Sequence, residues 1–305
     1  MKEQELSLLL LGDIRREEFR LVWENLPVCF QRKAVIRKKI KDILAVNETF
    51  LDAENFLENV PEIILLLQSF PGEFTVTEVE QLRRNYPLSR MIVVYGSWCE
   101  GEERSGEPLM NTARIHWADW IVRAPEELEA YSRGEVSIFS YPDTLQTRER
   151  FLWEAEIAKK RAENKKHLFL RKICDEERRN MKRSFLVYIF SADMEQAAVF
   201  QHLFLRDEIL SEWMCCVHFS DFNSRSITSP DMILADFSDF SQETRESFSG
   251  MRKDYFSSVC FAFYESLRGE YWSWLKKNGV QNIYRKPFPL FSVLDSLYGF
   301  LLRSN

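Results

Sequence analysis

Asp231-Met-Ile-Leu-Ala-Asp236, taken together with Lys286-Pro287-Phe288 further along the chain, decides how this sequence is read. A short apolar run closed by a carboxylate predicts a buried parallel strand that presents Asp236 at its carboxyl edge. Asn282-Ile-Tyr-Arg285 predicts a last strand, Ile283-Tyr284, that delivers Lys286 to the same edge. The chain then turns at Pro287 into a helix whose apolar face is Leu290, Val293, Leu294, Leu297 and Leu301. Ligands and chemistry in open α/β sheets gather at that edge.

Working backwards from it, Ser184–Phe190 predicts a first strand, Trp213–His218 a second, Met232–Asp236 the third and Ser258–Phe263 the fourth. Helices fall between them. Asp193 and Gln196 form a capping box ahead of Val199, Phe200, Leu203 and Phe204; Ser241–Lys253 is a polar helix, and Tyr271–Lys277 a short one ended by Asn278-Gly279. The first half of the chain alternates in the same way. Leu6–Leu11, Ala34–Ile36, Glu62–Leu67 and Arg90–Tyr95 read as strands; Arg15–Leu26, a segment from Asn47 to about Asn59, and Thr75–Asn85 read as helices. Where a further helix is due, Gly96–Leu109 is irregular, and Arg114–Trp117 reads as a fifth strand. The fold class expected is α/β: two doubly wound, five-stranded parallel-sheet domains of flavodoxin-like or receiver-like type, residues 1–123 and 183–305. A linker, 124–182, would carry a charged helix over Thr147–Ala162.

Composition sets limits on function. A hydrophobic content of 45% with 24 Phe and 8 Trp suits aromatic cores, and a formal charge of −6 argues against a general nucleic-acid binder. The stretch Arg148–Arg183 runs counter to this, with 13 basic against 7 acidic residues, which suits a solvated connecting helix or, alternatively, phosphate contacts. Six cysteines without a C-x-x-C pair suit reduced thiols in a cytoplasm. No run reaches the roughly 18 apolar residues of a spanning helix, so a soluble protein without membrane contact is expected.

With DMILAD, KKNGVQNIYRKPF and the leucine-rich last helix in view, residues 183–305 resemble the receiver domain of bacterial two-component response regulators. The resemblance implies that Asp236 falls at the phosphate-accepting position, that Lys286 falls at the phosphate-contacting lysine, and that Pro287 follows a cis peptide bond. The sequence departs from the family at the acidic pair after strand one. Phe190-Ser191-Ala192 stands there with only Asp193 beyond it, so two hard-oxygen ligands for Mg²⁺ are missing. The small hydroxyl after strand four is also displaced, to Ser266. Residues 4–122 resemble a second, more altered copy. Gln68-Ser69 occupies the acceptor position and Asp13 alone matches one member of the acidic pair. The whole resembles tandem pseudo-receiver proteins of bacterial type.

The function expected is signalling or scaffolding through protein–protein contacts, without enzymatic activity, metal or other cofactor. The partner would be an unknown protein, with a second copy of the chain also allowed. The expected partner surface is the strand-four/strand-five face: Trp98, Cys99, Glu100, Glu102, His116 and Trp117 around the loop of one domain, and Tyr264, Tyr271, Trp272, Trp274 and Tyr284 in the other. Three alternatives stand beside it. Asp236 is a working phosphoacceptor in one, Cys99 is a thiol nucleophile with His116 as its base in another, and the third is a nucleic-acid-associated protein acting through the charged linker.

Overall fold

Leucine, isoleucine, valine and phenylalanine runs buried on both faces build two sheets, and every strand pairing in them is parallel. The structure is a computed structural model of the chain. It describes residues 6–31, 34–40, 60–102, 106–109, 111–142, 145, 147–177, 185–218, 229–265, 267–286 and 290–303. The chain divides into two compact units, Met1–Ile157 and Ala158–Asn305.

In the N-terminal unit the strands are β1 (Leu8–Leu11), β2 (Ala34–Arg37), β3 (Ile63–Gln68), β4 (Arg90–Tyr95) and β5 (Ala113–His116). Helices α1 (Glu17–Glu24), α2 (Val28–Gln31), α3 (Val76–Asn85) and α4 (Trp117–Ser132) intervene or follow. The sheet order is β2-β1-β3-β4-β5. All six residues of β3 are buried, as a central strand with both faces covered requires. Thr75 and Glu78 form a capping box at the start of α3, with Glu78 N–H on Thr75 Oγ1 at 3.3 Å and Thr75 N–H on Glu78 Oε2 at 3.0 Å.

Helix α5 (Thr147–Glu177) crosses from one unit into the next. The C-terminal unit continues with β6 (Phe185–Phe190), α6 (Met194–Arg206), α7 (Glu208–Trp213), β7 (Met214–His218) and β8 (Met232–Phe237). It closes with α8 (Gln242–Asp254), β9 (Val259–Tyr264), α9 (Gly269–Lys277), β10 (Asn282–Arg285) and α10 (Leu290–Arg303). Its sheet order, β10-β9-β8-β6-β7, is the same winding as the first sheet. Counted from each unit's own first strand, both run 2-1-3-4-5, the flavodoxin-like doubly wound order. The core gathers β6, β8 and β9 against α6 and α10 through Val187, Phe200, Leu234, Phe263 and Leu297.

Several expectations change. Trp117 is the first residue of α4, not the last of a strand, and His116 caps that helix. The helix expected over Thr147–Ala162 runs on to Glu177. Residues 124–182, read as a linker, are shared between the units. Ala124, Leu128, Ile138 and Phe139 lie in the N-terminal core, and Phe169 is buried in the C-terminal one. Three lysines of α5 are paired inside the C-terminal unit, while Arg148, Lys160 and Arg171 are exposed. Lys165 pairs with Asp295 at 2.8 Å, Lys166 with Asp207 at 3.0 Å, and Lys172 donates to Leu302 O at 2.9 Å. The segment Asn47–Asn59, Ser266 and Pro287 lie outside the described residues.

One backbone position near the first sheet's edge tests the winding. Gly12, directly after β1, has φ +132°, and a Cβ there would stand 2.6 Å from Leu67 O. Gly12→Ala is expected to destabilise the N-terminal unit by about 1–3 kcal/mol. A urea titration followed by circular dichroism checks it.

Candidate functional site

Asp236 is the fifth residue of β8, one step before the strand ends, and is 2% exposed. Lys286 follows β10 directly, its main chain fixed by Lys286 N–H on Tyr264 O at 2.7 Å. The parallel order sets β10 beyond β9 from β8, so the lysine must reach across one strand, and it does. Lys286 Nζ donates to Asp236 Oδ1 and, at 3.0 Å, to Ser238 Oγ. The other carboxylate oxygen, Oδ2, accepts from Ser238 Oγ at 2.9 Å and from Ser191 Oγ at 3.2 Å. Ser191 shares its proton with the carbonyl of Asp193 at 2.9 Å. Both oxygens of the buried carboxylate are therefore engaged, as a charge in this environment demands.

Asp193 does not join them. Its Oδ1 accepts from Glu195 N–H at 2.8 Å and Gln196 N–H at 3.4 Å, capping α6. Mg²⁺, the ion that receivers hold at this edge, needs several hard oxygens in octahedral array. Here one carboxylate, already saturated and beside an ammonium, faces two hydroxyls; the residues present do not fit the ion. Among the described residues no group of three or more His, Cys, Asp or Glu is placed to hold a metal.

The N-terminal edge is built differently. Gln68 closes β3, fully buried, with its amide between two charged groups. Gln68 Nε2 donates to Glu102 Oε1 at 3.2 Å, and Arg114 Nη1 donates to Gln68 Oε1 at 3.2 Å. Arg114 Nη2 closes the ring on Glu102 Oε2 at 2.5 Å, and its guanidinium lies 5.1 Å from the Tyr95 ring centre. Asp13 pairs with Arg15 at 3.0 Å and Lys38 at 3.4 Å. The Arg15 side chain, then its backbone N–H, hold the Asp13 carboxyl well below the usual carboxylate range.

Of the six residues expected to form a partner-binding loop, Trp98 is exposed, at 84%. Cys99, Glu102, His116 and Trp117 are buried and serve as internal supports, which corrects that expectation for them. Glu100 lies between, half-buried, with its carboxylate 3.0 Å from His116 Nε2. In the C-terminal unit Tyr264, Trp272 and Tyr284 are likewise core residues; Tyr271 and Trp274 keep partial exposure.

The thiol-nucleophile reading gains nothing from the geometry. His116 Nδ1 accepts from Ala118 N–H at 3.4 Å and Nε2 lies 3.0 Å from the Glu100 carboxylate, while the Cys99 thiol donates to Gln68 O at 3.7 Å. Burial, reinforced by Glu102, pushes the Cys99 thiol up to about 12. Iodoacetamide at pH 8 is therefore expected to label exposed Cys215 while Cys99 stays unmodified until the protein unfolds. Peptide mapping of the native and denatured protein checks the order.

Sequence reasoning missed Arg114, Ser191 and Ser238 as partners of these edges. Ser238 carried a local signal, a hydroxyl two residues after a strand-ending carboxylate. Arg114 carried none, because its partners arrive from β3 and from the loop after β4.

No family model and no curated protein matches the chain. Solved structures that it resembles include a response regulator from Thermotoga maritima, 9% identical, covering 39% of this chain and 98% of that one at a TM-score of 0.31. The phosphorylated cyanobacterial phytochrome response regulator RcpA is 12% identical over 40% of this chain and 96% of its own, at a TM-score of 0.33. Tagatose-6-phosphate ketose/aldose isomerase from Escherichia coli is 11% identical and covers 99% of this chain and 82% of that one, at a TM-score of 0.27. The expectation of a chain without enzymatic activity does not stand, since an isomerase is among the matches that span nearly all of it. At these TM-scores the matches assign no activity.

Proposed function

We propose that the chain is a tandem receiver-like signalling protein that acts by presenting fixed surfaces to other proteins. In this reading Asp236 and Lys286 form the internal clasp of the C-terminal unit. The observation that carries it is the saturation of Asp236. Lys286 takes one carboxylate oxygen, Ser191 and Ser238 take the other, and the Asp193 carboxylate is committed to capping α6. A phosphoryl acceptor needs a free oxygen and a positioned cation to take up developing charge. Asp236 has instead a lysine clamp that ties the end of β8 to the end of β10, which stabilises one arrangement of the sheet edge. Among the described residues Cys99, Cys215, Cys216 and Cys260 are free thiols, which supports a cytoplasmic setting.

The convergence of Asp236 and Lys286 also supports the second reading, a phosphoacceptor. Incubation with acetyl phosphate and Mg²⁺ followed by intact-mass measurement separates the two. The clasp predicts an unchanged mass. A phosphoryl increment abolished by Asp236→Asn would replace it with the acceptor reading.

A further inference from the structure

The carboxyl edge of the N-terminal unit carries a different chemistry from that of the C-terminal one. Arg15 and Arg16 follow β1; Arg37 ends β2, and Lys38 and Lys39 come next. All five are exposed. They are brought together by the β1–β2 pairing, in which Leu11 stands beside Arg37 and Gly12 N–H donates to Arg37 O at 3.0 Å. Asp13 sits among them, with Arg15 and Lys38 both on its carboxylate. Two further acidic residues are near. Glu17 is exposed at the start of α1, and Glu18 turns its carboxylate to Ser97, whose hydroxyl it accepts at 2.6 Å. Among the described residues cations outnumber carboxylates at the ends of β1 and β2, while Glu73, accepting from Ser69 N–H, stands past β3.

Two exposed aromatic rings continue the same edge. Phe70, just past β3, is 43% exposed with the Arg16 guanidinium 5.5 Å from its ring centre. Trp98, just past β4, is 84% exposed, yet its turn is pinned on both sides. Ser97 is held by Glu18 and by Trp117 Nε1 at 3.2 Å, and Cys99 is buried with its N–H on Gly96 O at 3.0 Å. A large apolar side chain projected into water from a rigid turn has already lost the main-chain freedom that binding would otherwise remove. Such residues anchor interfaces.

We infer that this edge is a docking surface for a short acidic segment of another protein, its carboxylates on Arg37 and Lys38 and one apolar side chain on Phe70 and Trp98. The inference rests on the reading of the chain as a partner-binding protein and names the partner's chemistry. Strand spacing sets the length. From β2 across β1 and β3 to β4 is three spacings, about 14 Å, which about four or five extended residues span. The chain's charge of −6 favours a short segment over a long polyanion. Screening within about 8 Å limits what a short ligand feels to the local cations, whereas nucleic acid extending past the edge would meet a net negative surface.

The test is fluorescence anisotropy on the full chain. The probes are a labelled peptide with one Phe and a run of Glu and Asp, its Gln/Asn counterpart, and labelled oligothymidine. The acidic peptide is expected to bind, the amide counterpart to bind at least about tenfold more weakly, and affinity to fall with salt. Arg37→Glu with Lys38→Glu is expected to abolish binding, and Trp98→Ala to weaken it several-fold, with unchanged melting curves in both cases. Equal binding of the amide peptide, indifference to either variant, or absence of binding overturns the inference. Tighter binding of oligothymidine overturns it in favour of nucleic acid. Concentration-dependent sedimentation lost in Trp98→Ala overturns it in favour of a second copy of the chain. The phosphoryl test addresses Asp236 in the other unit, so either result can fail without the other.

Discussion

Arg252→Ala is expected to cost the C-terminal unit about 3–5 kcal/mol, enough to leave that unit marginal. Arg252 lies on α8 and is 1% exposed. Its guanidinium has five N–H donors, and all five are used on main-chain carbonyls. Nε donates to Asn278 O at 2.8 Å; Nη1 donates to Tyr255 O at 2.9 Å and Ser258 O at 3.0 Å; Nη2 donates to Phe256 O at 3.0 Å and Gly279 O at 3.2 Å. Those carbonyls close the ends of α8 and α9, where the helix dipoles are negative, so one cation caps two helices. Burial draws the guanidinium pKa below its usual value, but the group stays charged at neutral pH.

Alanine leaves the carbonyls without these donors and opens a cavity. Arg252→Lys restores a charge with three donors and no planar fork, so it should recover only part of the loss. Gly279 belongs to the same device. Its φ is +73°, and a Cβ there would stand 2.8 Å from Arg252 Nη2. Because the chain has two units, the measurement is amide exchange of α8, α9 and β9 rather than one global transition. A loss below about 1 kcal/mol in the alanine variant would show that water replaces the side chain.

Lys286→Ala is the second large effect, expected at about 2–4 kcal/mol, because it strands the Asp236 carboxylate in a buried site with two hydroxyls. The lower end reflects the partial exposure of the lysine side chain, 15%, against 1% for the aspartate. Asp236→Asn combined with Lys286→Met removes both charges and is expected to lie within about 1 kcal/mol of the parent. A double-mutant cycle with Asp236→Asn, Lys286→Met and their combination isolates the coupling between the two side chains. Additive single effects would mean that the pair adds nothing beyond its separate contacts.

What could be read in advance followed a physical division. IILLLQ, RMIVVY, FLVYIF and MILADF are buried on both faces, so their apolar runs alone mark central parallel strands. The Asp236–Lys286 meeting was readable because both residues end strands of a sheet whose order the alternation predicts. Arg252 was not. Ser241–Lys253 looks like a solvated polar helix, and nothing in a one-dimensional pattern shows that one arginine turns inward to carbonyls 26 and 27 residues away. Helix α4 was hidden by Pro125, which argues against a helix interior, and by Trp117, which fits a strand as well as a buried first turn. The full length of α5 was hidden because its lysines look solvated until Asp207, Asp295 and Leu302 supply partners. Trp98 and Cys99 are adjacent in sequence, yet one projects outward and the other supports the turn from beneath.

The C-terminal edge is a closed ion pair where receivers keep a cation cage, and Mg²⁺ titration followed by the amide resonances of Ser191, Asp236, Ser238 and Lys286 tests this most directly. The clasp predicts that these resonances stay in place as Mg²⁺ rises to about 10 mM, with only the weak, unsaturated drift of surface charge screening. A saturable shift centred on Asp236, lost in Asp236→Asn, would contradict it.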